Sequence, residues 1–407
     1  GRTAIAGGMT PDGIPTDDVA VYDPAASSFT SIGHLIGPRV GHTATLLKDG
    51  RLLVAGGTMD DLLNADLELF DPSSGSSTLV ALMAQPRTGH AASRLADGTV
   101  LIVGGSTAGG VVLHSAELFD PSSGSVTMLP FGLQRPRVGA SATTLIDGRV
   151  LVAGGRDGAA DLGSAEIYDA YSQTFTIVDT QLSVARSGHT AVLLPNNNSV
   201  LIAGGTSDGV RQPRADLFLP AEFPDPYSYG TGRFAPTGEM TAARSGAIGG
   251  PTHVEGYAFV MGGGPADAEA YRFATIKTDK DDYAPGEHAI ITGSGWQPGE
   301  DVTLVFQEDP AVHDDYVLTV TADSDGNIHW DQWAPEEHDL NVRFYLMASD
   351  SKSRAQTTFT DGANSLGTIS VGTQSPDPVP QGDSASYTIT INRAPGGPGG
   401  VLAARLR

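Results

Sequence analysis

The sequence of 407 residues contains no cysteine, which excludes disulfide bonds, thiolate metal sites and cysteine nucleophiles. Basic side chains are also scarce: the sequence has 24 Lys and Arg residues and 47 Asp and Glu residues. Nucleic-acid binding needs clustered positive charge, so this balance predicts no nucleic-acid partner. No run of about 18 apolar residues is present, and we therefore expect no insertion into a membrane.

Glycine and proline are abundant instead, with 52 and 26 copies. Such a composition is typical of a chain with many turns between short strands. Hydrophobic residues make up 40% of the sequence, which is enough for a packed core. The chain is therefore expected to be folded and rich in β-structure.

A sequence repeat with a period of 48 to 58 residues occupies the first two thirds of the chain. It is marked by six Gly-Gly pairs, which are Gly7-Gly8, Gly56-Gly57, Gly104-Gly105, Gly154-Gly155, Gly204-Gly205 and Gly262-Gly263. Five pairs are preceded by an Arg-x-Gly-His or Arg-x-Gly-Ala motif, which begins at Arg39, Arg87, Arg137, Arg186 and Arg244. A repeat of this length indicates units that pack on their neighbours.

Each unit predicts four short strands, which we letter a to d. In the second unit strand a covers 41–47, strand b covers 51–55 and strand c covers 65–70. Strand d follows a Pro-Ser-Ser-Gly turn, and an Asp-Gly turn joins a to b. Strand a is rich in small residues, which places it innermost, where neighbouring units crowd together.

These four-stranded units resemble the kelch repeats of bacterial β-propeller proteins in the galactose oxidase-like superfamily. The resemblance covers residues 1–275 and implies an all-β fold with a six-bladed kelch-type β-propeller. It departs from the family where a Trp usually opens strand d, since Phe29, Ser77, Val126 and Phe175 occupy those positions. The copper radical oxidases of this superfamily depend on a Tyr–Cys cross-link, so the absence of cysteine excludes that cofactor here.

The first blade is expected to be incomplete, because the sequence opens on a strand b, and the sixth unit lacks a strand d. In this repeat strand d leads directly into the next strand a. One upstream segment of roughly two strands would therefore supply both the missing strand d of the sixth unit and the missing strand a of the first. The propeller is then expected to be a monomer within a longer natural chain. A seven-bladed ring that lacks a whole blade is the alternative.

Residues 276–362 predict an immunoglobulin-like β-sandwich, because Pro-Gly-Glu and Asp-Gly turns separate its strand-like segments. The predicted strands are 289–292, 302–306, 316–320, 342–346 and 356–359. The stretch 282–296 resembles bacterial immunoglobulin-like surface modules. Residues 363–407 are expected to begin a further β-sandwich or to form a disordered tail. Between Asp279 and Asp361 there are 18 acidic and 4 basic side chains, which predict a solvated surface or a patch that binds divalent cations or a basic partner.

Two residue types recur in phase with the repeat. His42, His90 and His189 either bond a neighbouring blade's backbone or collect into a metal-binding circle. The five arginines of the Arg-x-Gly motif either brace one blade against the next or line a channel for anionic glycans.

A candidate metal site lies in the second module. Asp323, Asp325 and Asp331 imitate the start of a calcium loop, but Gly326 falls at position 4 and Ala334 at position 12, which excludes an EF-hand. A looser calcium site on these three aspartates stays open, and no other metal or cofactor is predicted. The three tryptophans of the chain, Trp296, Trp330 and Trp333, are expected in the core, with sugar stacking by the latter two as the alternative.

No catalytic motif stands out, so the sequence predicts a secreted or cell-surface scaffold that binds a protein or glycan without catalysis. The predicted contact loop is the insertion Pro220–Met240 between the fifth and sixth units. Its binding residues would be Phe223, Tyr227, Tyr229 and Phe234. The alternative function is a glycan-active hydrolase or lyase with its site at the mouth of the propeller channel.

Overall fold

The computed structural model describes residues 3–10, 12–23, 26, 28–59, 62–221, 230–265, 267–309, 311, 313–336 and 342–361, and the backbone of 369–371 and 389–391. These residues form strands and turns, with no α-helix among them. Accordingly, no helix in this part of the chain is long and apolar enough to cross a membrane. The chain divides into two compact units, Gly1–Thr275 with Ser353–Ala355 and Ile276–Lys352 with Gln356–Arg407.

The described residues of the first unit form six antiparallel sheets of three or more strands that follow one another along the chain, which we number repeats 1 to 6. Repeats 2 to 5 have strands at all four positions a to d. Among the described residues, repeat 1 has strands b, c and d, and repeat 6 has strands a, b and c.

The strands of the first unit are as follows in chain order. Repeat 1 consists of β1 (Thr3–Ala6), β2 (Asp18–Asp23) and β3 (Ser28–His34). Repeat 2 consists of β4 (Thr43–Leu46), β5 (Leu52–Ala55), the small hairpin β6 (Thr58–Met59) and β7 (Leu62–Leu63), β8 (Asp66–Asp71) and β9 (Ser76–Leu82). Repeat 3 consists of β10 (Ala91–Arg94), β11 (Val100–Val103), β12 (Ala116–Asp120) and β13 (Ser125–Met128).

The same order continues in the second half of this unit. Repeat 4 consists of β14 (Ser141–Thr144), β15 (Val150–Ala153), β16 (Ala165–Asp169) and β17 (Thr174–Ile177). Repeat 5 consists of β18 (Thr190–Leu193), β19 (Val200–Ala203), β20 (Thr206–Ser207), β21 (Val210–Leu219) and β22 (Arg233–Arg244). Repeat 6 consists of β23 (Ile248–Pro251), β24 (Tyr257–Met261) and β25 (Ala268–Arg272).

The core of the first unit lies between successive sheets. Strand b is buried along its whole length in repeats 2 to 5, because each of these sheets packs on a neighbour through both faces. This explains why these strands are continuous runs of Leu, Val, Ile and Ala rather than alternating ones. The strands a of consecutive repeats contact one another, as expected for an inner position.

A chain of backbone hydrogen bonds joins the d–a linkers, which are the segments from strand d of one repeat to strand a of the next. The Gly89 amide donates to the Gly41 carbonyl at 2.8 Å, and the Gly139 amide donates to the Gly89 carbonyl at 2.8 Å. Gly188 and Gly246 continue the series at 2.9 and 2.8 Å. All five linkers therefore meet at one end of the unit.

The Gly-Gly pairs end strand b and approach the next d–a linker closely. The Gly105 amide donates to the Arg137 carbonyl at 2.7 Å, and a Cβ atom on Gly104 would lie only 2.5 Å from the same oxygen. Gly104 also has a φ of 68°, a conformation that side chains disfavour. Both facts account for glycine at this position.

We expect Gly104→Ala to destabilise the first unit by more than Gly110→Ala. Gly110 has a similar φ of 75° but no atom within 4 Å of its added Cβ, so its substitution measures the backbone cost alone, about 1–2 kcal/mol. Gly104→Ala adds the collision with the Arg137 carbonyl. The measurement is the free energy of unfolding by denaturant, and equal losses in the two variants would contradict this account.

The described residues of the second unit form two larger sheets. The first has the order β26 (Lys277–Thr278), β28 (Ala289–Gly293) and β31 (Ile328–Trp333). The second has the order β27 (Asp282–Tyr283), β33 (Arg354–Asp361), β32 (Arg343–Ser349), β29 (Asp301–Asp309) and β30 (Tyr316–Thr321). A separate two-stranded pair is formed by β34 (Ile369–Val371) and β35 (Ile389–Ile391). All five strands predicted for 276–362 are present, whereas β26, β27 and β31 were not predicted.

Candidate functional site

Each of the five recurring arginines is buried and paired with a carboxylate at one position of strand c. The pairs are Arg39–Glu68 at 3.1 Å, Arg87–Glu117 at 2.6 Å, Arg137–Glu166 at 3.1 Å, Arg186–Asp216 at 2.8 Å and Arg244–Glu269 at 3.1 Å. We call these the five arginine locks. The arginine belongs to the d–a linker, so each lock ties an incoming linker to the sheet that follows it.

The lock of repeat 4 illustrates the geometry. Arg137 donates through Nη1 to the carbonyls of Gly154 and Ser164, at 2.8 and 2.7 Å. The Glu166 carboxylate accepts the backbone amide of Gln134 at 2.7 Å in addition to the guanidinium. Burial lowers the pKa of the Arg137 guanidinium, and the charge of Glu166 opposes that shift. The buried charges are thus paired and hydrogen-bonded, as they must be in a protein interior.

The arginine locks decide between the two interpretations of the arginines, a structural brace and a channel lining for anionic glycans. Their side chains are at most 1% exposed and engaged with carboxylates, so they do not line a channel for anionic glycans. Their role is structural, as the brace interpretation expected. The sequence analysis missed the acidic partners, although an acidic residue recurs at one fixed position of strand c in repeats 2 to 6.

The three histidines each contact the preceding repeat. His42 Nε2 lies 2.8 Å from the Ala6 carbonyl, which is the backbone contact expected. His90 and His189 instead lie 2.9 Å from hydroxyl oxygens, those of Thr43 and Ser141. Burial lowers the pKa of both His90 and His189 to about 3, so both are neutral at pH 7. The described residues include no group of three or more His, Asp or Glu that could hold a metal ion, and these histidines form no circle.

One end of the first unit carries exposed apolar side chains. The b–c loops and the d–a linkers lie at the same end, because consecutive strands are antiparallel and the linkers meet there. Exposed apolar residues at this end are Met9, Ile14, Ile36, Leu62, Val111, Phe131 and Val210, each between 51% and 72% exposed. We call this surface the b–c face. Its apolar side chains come from four b–c loops and two linkers, so the pattern belongs to the repeat and not to one loop.

The opposite end, formed by the a–b and c–d turns, is mainly polar. Its turns contain Asp-Gly and Ser-Ser-Gly sequences, and Asp71 accepts both the amide and the hydroxyl of Ser73. Exposed apolar side chains at this end include Leu46, Val254 and the fully exposed Tyr171. More exposed apolar side chains lie at the b–c face than at the opposite end. Exposed apolar surface is typical of interaction sites, so this difference favours the b–c face as the candidate functional site.

Comparisons with known proteins agree with this architecture. The family model of the KLHDC2/KLHL20/DRC7 Kelch-repeats domain matches residues 1–219, which is more than half of the chain. The chain belongs to the kelch-repeat family. The kelch repeats therefore form a β-propeller.

Two solved structures are similar to this chain at low sequence identity. A fungal alcohol oxidase of the AA5 family in complex with copper is 13% identical, with a TM-score of 0.47, over 89% of this chain and 95% of that chain. YjhT is 14% identical, with a TM-score of 0.49, over 68% of this chain and 95% of that chain. No curated protein matches the sequence.

The contact loop predicted from the sequence is corrected in part. Phe234 belongs to strand d of the fifth kelch repeat, is 8% exposed and packs on Phe218 with ring centroids 5.2 Å apart. It thus occupies the core position that Phe175 has beside Tyr168, and it is not available to a partner. The insertion joins strands c and d of repeat 5 rather than repeats 5 and 6, and 233–244 form a strand. Phe223, Tyr227 and Tyr229 lie outside the described residues.

The candidate residues beyond the kelch repeats are placed as follows. The Asp323 carboxylate accepts the amides of Asp325 and Asn327, so it closes its own turn. Asp331 is exposed and lies 3.9 Å from His329, and the described residues bring no third ligand to a common point. Asp323, Asp325 and Asp331 therefore form no calcium site in this geometry.

The three tryptophans of the second unit differ in how deeply their side chains are buried. Trp296 is 1% exposed and Trp333 is 9% exposed, and Trp333 stacks on Phe306 with centroids 4.8 Å apart. Their packing agrees with the core interpretation. Trp330 is half-buried in β31.

Proposed function

We propose that this protein is a non-catalytic scaffold whose kelch propeller binds a protein partner through the b–c face. The observation that carries the proposal is the set of apolar side chains exposed at that end. A stable protein interface needs an apolar centre with a polar rim, and exposed side chains such as Leu62, Val111 and Phe131 can supply that centre. The kelch fold supports a role in protein interaction, and a protein partner fits the apolar loops better than a glycan does.

We further propose that the six sheets are six blades around one axis and that 276–362 form an immunoglobulin-like spacer. Two facing sheets and an aromatic core around Trp333 support the spacer. Its excess of acidic side chains favours solvation and repels other acidic surfaces. A secreted or cell-surface location fits a propeller held away from a surface by such a module.

A charge placed in the b–c face should weaken binding of the partner. A screen of protein and glycan arrays with the full chain first supplies a ligand. We then expect Leu62→Asp and Phe131→Asp each to raise its Kd at least tenfold, because an aspartate in a desolvated apolar contact loses at least about 1.4 kcal/mol. Titration calorimetry provides the measurement.

The matched control is Tyr171→Asp, which changes an even more exposed apolar side chain at the opposite end. It should leave the Kd unchanged. If Tyr171→Asp weakens binding while the b–c face variants do not, the assignment of the face is wrong. If the array yields only glycans, the proposal of a protein partner fails.

A further inference from the structure

The second unit contains a cavity that the proposed function does not use. It has a volume of about 420 Å³ and lies at the end of the two sheets where β29 and β31 end and β30 and β32 begin. Cavities of about 300–1,000 Å³ are usual for ligand sites in proteins. We call it the acidic cavity, and its lining includes Phe306, Glu308, Asp314, Tyr316, Trp333 and Glu336.

Aromatic rings form the floor of the acidic cavity. Phe306 stacks on Trp333 with ring centroids 4.8 Å apart, and Phe344 meets Trp333 nearly at right angles at 4.9 Å. These three side chains are at most 9% exposed, so the Trp333 ring is not open to a sugar. Tyr316, in contrast, is 49% exposed and packs on Phe306 at 5.7 Å. The cavity therefore presents the accessible ring of Tyr316 on a packed aromatic base.

Glu308 lies at a position of β29 that faces the core. The side chains of Val302, Leu304 and Phe306 alternate along this strand and are at most 2% exposed. Glu308 is the next residue in the same row, and its side chain is only 12% exposed. Its register partner on β32 is the buried Phe344. A carboxylate in an apolar row opposes folding unless it is hydrogen-bonded, and such departures from the local pattern are expected at functional sites.

The loop before β30 holds this carboxylate in place. The backbone amide of His313 donates to Glu308 Oε2 at 2.9 Å, and His313 Nδ1 lies 2.9 Å from Glu308 Oε1. Both contacts come from one loop residue that itself lines the cavity. Glu308 is thus fixed in position while it continues to form part of the cavity wall.

The lining of the cavity is negatively charged. Glu308 shares it with Asp314 and Glu336, which are both exposed, and no Lys or Arg of the described residues lines it. The surrounding sequence has the same sign, with 18 acidic and 4 basic side chains between Asp279 and Asp361. Carboxylates that line one cavity repel one another, and a positively charged ligand relieves this repulsion.

The lining favours an organic cation over a metal ion. The described residues include no group of three or more His, Asp or Glu that could hold a metal. A guanidinium group, in contrast, is planar, donates two parallel hydrogen bonds to a carboxylate and stacks on aromatic rings. The cavity supplies both partners, in its carboxylates and in the exposed ring of Tyr316. A guanidinium therefore fits this lining better than a compact ammonium group does.

We propose that the acidic cavity binds an arginine side chain of a partner protein. The guanidinium would bond the carboxylates, and its aliphatic stem would lie along the Tyr316 ring. We commit to an arginine carried by a polypeptide, because the acidic excess of the whole segment 279–361 attracts a basic protein surface and exceeds the charge of one small ligand. The site belongs to the second unit and does not rest on partner binding at the b–c face.

The test titrates the full chain with the peptide acetyl-Gly-Gly-Arg-Gly-Gly-amide by calorimetry. A second peptide has citrulline in place of arginine, which keeps the shape of the side chain and removes its charge, and a third has lysine. We expect the arginine peptide to bind at least tenfold more tightly than the citrulline peptide and more tightly than the lysine peptide. Binding should also change the tryptophan fluorescence, because Trp333 lines the cavity.

Variants of the chain locate the site. Glu308→Gln and Asp314→Asn should each raise the Kd of the arginine peptide at least tenfold, since each removes one carboxylate from the lining. Asp325→Asn is the matched control, because it removes the same charge from a turn that precedes β31, whereas the cavity lies where β31 ends. Its Kd should stay within twofold of the wild-type value. Tyr316→Leu should remove the preference for arginine over lysine, which depends on stacking.

Several results would overturn the proposal. They are the absence of binding, equal affinity for the arginine and citrulline peptides, and an equal loss of affinity in Asp325→Asn and Asp314→Asn. If N-acetyl-arginine amide binds but the peptide does not, the site belongs to a small ligand and the partner protein is wrong. If Glu308→Gln does not fold, the exposed Asp314→Asn still decides. Binding at the b–c face is measured with other variants, so either proposal can fail alone.

Discussion

Arg137→Ala is expected to destabilise the propeller by about 3–5 kcal/mol, the usual cost of removing one partner of a buried ion pair. The variant leaves the Glu166 carboxylate buried with a charge and only backbone amides beside it. It also removes the donors to the Gly154 and Ser164 carbonyls. The loss of unfolding free energy is measured by urea unfolding monitored with circular dichroism.

A solvent-exposed pair provides the control for this prediction. Arg51 and Asp49 lie 2.7 Å apart but are 39% and 47% exposed, so Arg51→Ala should cost less than about 1 kcal/mol. All three tryptophans belong to the second unit, so their fluorescence reports that unit's unfolding and should not shift in either variant. The lock account is wrong if Arg137→Ala costs no more than Arg51→Ala.

Acid should unfold the propeller before most carboxylates titrate, because two buried histidines must gain a proton. Burial lowers the pKa of His90 and His189 to about 3, below the ordinary value of 6.5. Their contribution to stability is therefore complete above pH 6.5 and is lost as the pH falls from there toward 3. Each histidine adds a slope of about 1.4 kcal/mol per pH unit in that range.

His90→Ala isolates this effect, and two of the repeats already have Ala at the same position, Ala140 and Ala247. The variant should lose some stability at pH 7.5 yet show a shallower fall of the unfolding free energy between pH 6.5 and pH 5. His34→Ala is the control, since the His34 side chain is 65% exposed. Equal slopes in the wild type and His90→Ala would refute the histidine account.

The repeat made most of the propeller predictable. Gly-Gly pairs and Asp-Gly turns are local signals, so strands a, b and c were located to within a residue or two in repeat 2. The lock carboxylates were not predicted, because the partner of Arg87 lies 30 residues away at Glu117 and only the fold brings the two together. The signal was nevertheless present as an acidic residue in phase with each arginine.

The candidate binding residues were less predictable, because aromatic content does not reveal which face of a strand is covered. Phe234 was assigned to a loop from its Pro- and Gly-rich surroundings, yet it pairs with Phe218 in the core. The b–c face could not be predicted for a different reason. Its residues, such as Leu62 and Val111, are isolated in the sequence and come together only because the antiparallel strands turn every b–c loop toward one end.

The hydrogen-bonded glycines of the linkers restrict where this scaffold can vary. Gly41, Gly89, Gly139, Gly188 and Gly246 all have φ values between 61° and 68°. Side chains are disfavoured at such φ values. The ring of linker glycines at the b–c face therefore exposes backbone only, and substitutions there can add almost no new side-chain chemistry. New specificity must therefore arise on the outer loops, which tolerate changes in length and composition. Related chains are expected to share an unchanging ring of linker glycines and to diverge at the surrounding loop tips.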